Sequence, residues 1–160
     1  MLLQSFRTSS GKCCLAGTSS VRIIGLDLGD KRIGVAAADD RTRVALPVTT
    51  VSVTGDPSTV VIEILREQRA DEVVVGLPLS MSGAMGAQAE KVMELVEDLR
   101  ECVTIPVHTW DERLSSVQAS RTTRAPGRRK STRTAAAGRD ASAAAIVLQA
   151  YLDSRPSPVR

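Results

Sequence analysis

Three acidic positions far apart in the chain stand where a folded sheet could gather them. Asp27 ends the apolar run Arg22-Ile23-Ile24-Gly25-Leu26, Glu112 follows Pro106-Val107-His108-Thr109-Trp110-Asp111, and Asp140 heads a stretch rich in Ala and Leu. Carboxylates offer only oxygen, which suits hard cations such as Mg2+ or Mn2+. Gathered together, they repel and raise one another's pKa unless a cation neutralises them. Two ions held about 3.5–4 Å apart can activate a water and stabilise the leaving oxygen in phosphodiester cleavage. The expectation is metal-assisted hydrolysis of a nucleic-acid backbone, with Asp27, Glu112 and Asp140 as both ligands and catalytic residues. Asp111 is the weaker candidate, because neighbouring strand residues face opposite sides. Bland readings stay open at this point. Asp27 could bond turn amides alone, Asp140 could be only an acid at a helix N-terminus, and Glu112 could pair with Arg113 or Arg32.

Basic residues lie near these acids. Lys31 and Arg32, in the turn after Asp27, are phosphate ligands or surface hairpin charges, with phosphate favoured; Arg113 either holds a phosphate or braces Glu112. Of the 21 Lys and Arg residues, seven fall between 119 and 139, where there is no acid, leaving 14 bases against 18 acids elsewhere. A basic segment on an acidic body suits a polyanion partner, although a solvated charge run is also common. Within it Arg128, Arg129 and Lys130 read as a loop that grips a backbone, with binding that weakens as salt rises. The only aromatics are Phe6, Trp110 and Tyr151, too few for a base-stacking platform. Trp110 reads as core and His108 as a strand surface residue.

The elements that must position these groups follow from local pattern. The stretch from Arg22 to Ala36 reads as a buried strand ending in the carboxylate of Asp27, a Gly-containing turn and a second strand running back. Gly29 eases the turn, and Gly34 lets a neighbouring element come close. Val44–Val51 is a third strand, at an edge because Pro47 cannot donate a ladder bond. Asp56-Pro57 starts a helix with Asp as cap and Pro at its first position. Glu72–Val75 is a strand added parallel beside the first, Ala87–Glu101 a second helix, and Pro106–Trp110 a fifth strand. Ser115 and Gln118 have capping-box spacing, yet residues 119–127 offer little to bury and Pro126-Gly127 breaks a helix. A last helix from about Arg139 to Leu152 puts Asp140 in its first turn, where the dipole favours a carboxylate. The fold class is α/β: a mixed five-stranded sheet, three antiparallel strands then two parallel, flanked by helices. The C-terminal ends of parallel strands in such sheets are where ligand sites form.

Four stretches together resemble the YqgF (RuvX) family. They are Asp27-Leu28-Gly29-Asp30-Lys31-Arg32-Ile33-Gly34-Val35-Ala36, Val73–Pro78, Trp110-Asp111-Glu112-Arg113-Leu114-Ser115, and Asp140 with Ala143–Leu152. The resemblance runs from about Val21 to Asp153. It implies an RNase H-like fold and a nuclease, described in that family as a Holliday-junction resolvase and as a processor of the 5′ end of pre-16S rRNA. The acids Asp27, Glu112 and Asp140 match the acidic positions of its motifs, while residues 119–127 lack the Leu-rich helix the family carries. That departure keeps open a catalytically silent nucleic-acid-binding or regulatory module. A sugar-kinase or actin-like ATPase is set aside, since one such domain leaves a nucleotide without a second wall.

The division expected is residues 1–20 as a disordered extension, 21–153 as the nuclease domain and 154–160 as a flexible tail. For the extension, a dispensable tail is favoured over a transit peptide, and a start assigned too far upstream is a further option. Cys13, Cys14 and Cys102 suit reduced thiols rather than a disulfide framework. No apolar run approaches the ~18 residues of a membrane span. A cytoplasmic protein, a monomer or weak homodimer acting on RNA or branched DNA, is the expectation; backbone contacts do not distinguish these substrates.

Overall fold

The computed structural model describes residues 20–80, 83–112 and 135–156. Residues 1–19, Arg113, the Ser115–Gln118 capping box, Arg128, Arg129 and Lys130 lie outside the described residues. Strand β1 (Arg22–Leu28) pairs antiparallel with β2 (Arg32–Asp39), and the Gly29 amide closes the turn by donating to the Arg32 carbonyl at 2.9 Å. Strand β3 (Leu46–Ser52) joins the far side of β2. Helix α1 (Pro57–Glu67) then crosses over to β4 (Glu72–Leu77), parallel to β1, and α2 (Ala87–Cys102) crosses to β5 (Val107–Asp111), parallel to β4. Helix α3 (Ala135–Ser154) ends the fold. The sheet order is β3-β2-β1-β4-β5, three antiparallel strands and then two parallel additions.

Local chemistry accounts for the boundaries. The Asp56 carboxylate caps α1 by accepting from the Thr59 amide at 2.9 Å, and Pro57 opens the helix where no donor is needed. Strand β3 begins at Leu46, two residues later than its pattern suggests, and Pro47 sits opposite Ala36 at a register shift between Val35 and Ala36. A bulge on an edge strand is where a residue without an N–H is tolerated. Leu46 is consequently 62% exposed.

The two faces of the sheet are built differently. Strand residues Ile24, Leu26, Val35, Val73 and Val75 pack under Val61, Ile64 and Leu65 of α1 and Val92, Val96 and Leu99 of α2. On the opposite face Ile23, Ala36, Ala38 and Val74 meet Ala144, Leu148, Tyr151 and Leu152 of α3. Alternation along β1 and β2 sets Gly25 and Gly34 on this second face, and α3 fills the space they leave. A Cβ on Gly25 would stand 2.7 Å from the Leu148 Cβ, and one on Gly34 would overlap the Asp140 carbonyl.

Helix α3 starts at Ala135, not near Arg139, because Ala135-Ala136-Ala137 are strong helix formers that carry it back through Gly138. Asp140 therefore lies in the second turn, and the expected first-turn dipole benefit does not apply. The other end of the helix is pinned by charge. Glu72, 7% exposed, accepts from the Tyr151 hydroxyl at 2.7 Å and from Arg155 Nη1 at 2.8 and 3.0 Å. Burial, followed by the bond to Glu72, pushes the Tyr151 hydroxyl up to about 12. His108, 3.5 Å from Glu72, is a partly exposed strand residue as expected. No helix among the described residues is long and apolar enough to cross a membrane.

Replacing Gly34 with Ala forces the helix off the sheet, so Gly34→Ala should lower the free energy of unfolding by about 1–3 kcal/mol or more. Urea denaturation followed by circular dichroism measures this; an unchanged midpoint would mean that α3 does not rest on Gly34.

Candidate active site

The site is assembled from the ends of two parallel strands and the underside of α3. Asp27, the penultimate residue of β1, is paired with Gly34 and shares a sheet face with Ile23 and Gly25. Because Gly34 has no side chain, the α3 backbone at Asp140 sits directly over it, which brings Asp140 close to Asp27. Glu112 follows β5 and leans over β4, where a Cβ on Gly76 would lie 2.7 Å from its Oε1 and 3.4 Å from Val147 of α3. Asp111, opposite Leu77 in the register, falls on the other face. In strand order, Asp140 stands on the β2 side of Asp27 and Glu112 on the β4 side.

The charges of the acids act on one another in pairs. Burial, and then the Asp140 carboxylate, push Asp27 above its ordinary 3.8. Burial again comes first for Glu112, followed by the charges of Asp27 and Asp111, and its pKa also rises. Asp27 is the member coupled to both others. Arg32, weighed in the sequence as a partner of Glu112, lies with Nη1 3.6 Å from Asp140 Oδ2, both side chains being partly exposed.

Beside Asp27 opens a cleft of about 530 Å³ lined by Asp27, Gly29, Lys31, Arg32, Arg139, Asp140 and Ala143. Lys31 and Arg32 thus border the acids, as does Arg139, which the sequence shows only as one member of a basic run. Gly76 was also legible merely as the end of a strand; its role as the floor under Glu112 needs the register to be seen. Trp110 packs on the α3 side as core, edge-on to Tyr151 at 5.7 Å between ring centroids. Arg113, Arg128, Arg129 and Lys130 cannot be located relative to the cleft, being outside the described residues.

Among the described residues no three His, Cys, Asp or Glu side chains stand together closely enough to form a ready-made ion cage. The donor set nevertheless fits a hard cation. All the donors are oxygen, and Mg2+ retains several waters and is commonly held by one or two carboxylates plus substrate phosphate.

The raised pKa of Asp27 fixes the sign of a pH effect. In the folded state its charged form is disfavoured, so the cost is absent below the ordinary 3.8 and grows as pH rises through the higher folded value. Asp27→Asn should therefore melt at a higher temperature than the wild type at neutral pH, and the gap should close on acidification. Calorimetric scans across that range decide it; equal melting at neutral pH would mean that the Asp27 charge costs the fold nothing.

Comparison with known proteins shows the family and the fold. A family model described as RuvX, Holliday junction resolvase, matches residues 21–154. A protein of Caldanaerobacter subterraneus subsp. tengcongensis named "Putative pre-16S rRNA nuclease" is 42% identical over 143 residues, covering 84% of this chain and 98% of its own. One of the same name from Protochlamydia amoebophila is 38% identical over 143 residues, covering 84% and 94%. Among solved structures, Thermus thermophilus RuvC in complex with Holliday junction substrate aligns with a TM-score of 0.56 at 16% identity, over 84% of this chain and 95% of that one. That likeness concerns the fold, which is RNase H-like. With its sheet, its spaced acids and a match spanning nearly all described residues, the chain belongs to the RuvX family.

Proposed function

We propose that the chain hydrolyses phosphodiester bonds in nucleic acid with the help of Mg2+ or Mn2+, and that its substrate is the 5′ end of pre-16S rRNA. The observation that carries this is Asp27, raised by burial and by Asp140, at the C-terminal end of a central strand beside a cleft edged with Lys31, Arg32 and Arg139. Carboxylates held in one another's field are costly unless a cation joins them. The RNA reading is supported by the names of relatives that match along nearly their full length. The description of the family model favours a second reading, resolution of four-way DNA junctions.

Asp27, Glu112 and Asp140 are the residues that would hold the ions, with Asp27 common to both of its neighbours. Bound there, a divalent ion would supply neutralisation of phosphate charge and acidification of the attacking water. Lys31, Arg32 and Arg139 would take non-bridging phosphate oxygens and turn the scissile phosphorus towards the acids. Arg113, Arg128, Arg129 and Lys130 extend the same proposal along the backbone of the substrate. As water adds to phosphorus, the bond to the leaving oxygen breaks.

Purified protein with Mg2+ or Mn2+ should trim a 5′-extended 16S precursor in preference to a four-way DNA junction, and Asp27→Asn should cut the rate at least about 100-fold, as expected on loss of one preorganised charge at a reacting phosphate. Full activity in Asp27→Asn would end the proposal, and preference for the junction would replace RNA with DNA as substrate. Arg139→Gln should weaken binding of either probe and reduce its log–log salt slope by about 0.7–0.9; an unaltered slope would remove Arg139 from the phosphate contacts.

A further inference from the structure

Arg32 occupies an unusual position. Strand alternation places it on the same sheet face as Gly34, one position out from the Asp27–Gly34 pair. It reaches Asp140 at 3.6 Å, and both line the same cleft. The contact is loose: the two side chains are 46% and 36% exposed. An ion pair so open to water stabilises little, changing an equilibrium by about two- to fivefold at most. Such a contact is weak enough to be exchanged.

We infer that Arg32 is a tethered counter-ion, which neutralises Asp140 in the resting protein and is displaced to a substrate phosphate when a divalent cation takes its place. The inference rests on the carboxylates being ion ligands, as proposed above. Its chemistry is a competition for one carboxylate: a guanidinium and a divalent cation cannot both lie against Asp140 Oδ2. Once displaced, the guanidinium is at the rim of the cleft with a planar set of donors suited to phosphate oxygens. Ion binding and nucleic-acid binding are thereby linked through one side chain. By thermodynamic reciprocity each tightens the other. The site binds its cation weakly when alone and firmly when a phosphate backbone gives Arg32 somewhere else to go.

Calorimetric titration of the full chain with Mn2+ tests this in the wild type, Arg32→Gln, Arg32→Lys and Asp27→Asn, with thermal melts establishing that each variant is folded. A cleavage-resistant 2′-O-methyl RNA oligomer is titrated with and without Mn2+. Arg32→Gln should bind Mn2+ about two- to fivefold more tightly than the wild type, with Arg32→Lys between them. The same variant should bind the oligomer more weakly and gain less from Mn2+. Equal or weaker Mn2+ binding by Arg32→Gln, with Asp27→Asn still impaired, would overturn the counter-ion role and leave the nuclease reading intact. Identical Mn2+ binding by the wild type and Asp27→Asn would bring down both.

Discussion

The approach of α3 to the sheet is set by what the strands beneath it lack. Gly25 of β1, Gly34 of β2 and Gly76 of β4 lie on three adjacent strands and on one face, and each leaves room for an atom of α3 or of Glu112. On the opposite face Ile, Leu and Val side chains stand between the sheet and α1 and α2. Only the glycine face allows a helix backbone to touch the strands, and only that contact carries Asp140 to Asp27. The helix is held there by Leu148, whose Cβ lies over Gly25, by Tyr151 and Leu152 further along, and by the charged clasp at Glu72.

Two acidic centres stand at opposite ends of the same sheet, and they are treated in opposite ways. Glu72 is buried but answered by a phenol and a guanidinium within hydrogen-bonding distance, so its charge fastens α3 to β4. At the other end Asp27 lies in the field of Asp140, and Glu112 in the field of Asp27 and Asp111, and both titrate above the ordinary carboxylate range. The first centre is complete within the chain. In the second, burial and neighbouring carboxylates disfavour the charged forms of Asp27 and Glu112.

Much of this was legible in order of residues. The short apolar runs, the Asp56-Pro57 cap, the helical apolar stripes and the edge-strand proline marked all five strands and both crossover helices, because each signal is local. The acids at strand ends were legible for the same reason. What escaped was relational. That Gly76 underlies Glu112, that Arg32 meets Asp140 and that Arg139 borders the cleft all depend on register across strands or on helix position, which no short window contains. The start of α3 was placed near Arg139, too late, because the apolar face that marks the helix begins only with Asp140 and Ala144, while three preceding alanines extend it back to Ala135.

Strand β3 has a consequence of another kind. Among the described residues its outer edge has no strand partner, and with Leu46 and Val48 exposed, and Val44 exposed just before it, the edge would make an inviting template for another molecule's strand. The missing amide at Pro47 and the slip in register beside it interrupt that template at its most apolar point. An edge broken by a bulge and a proline is a poorer template, the general device by which sheets avoid zippering edge to edge.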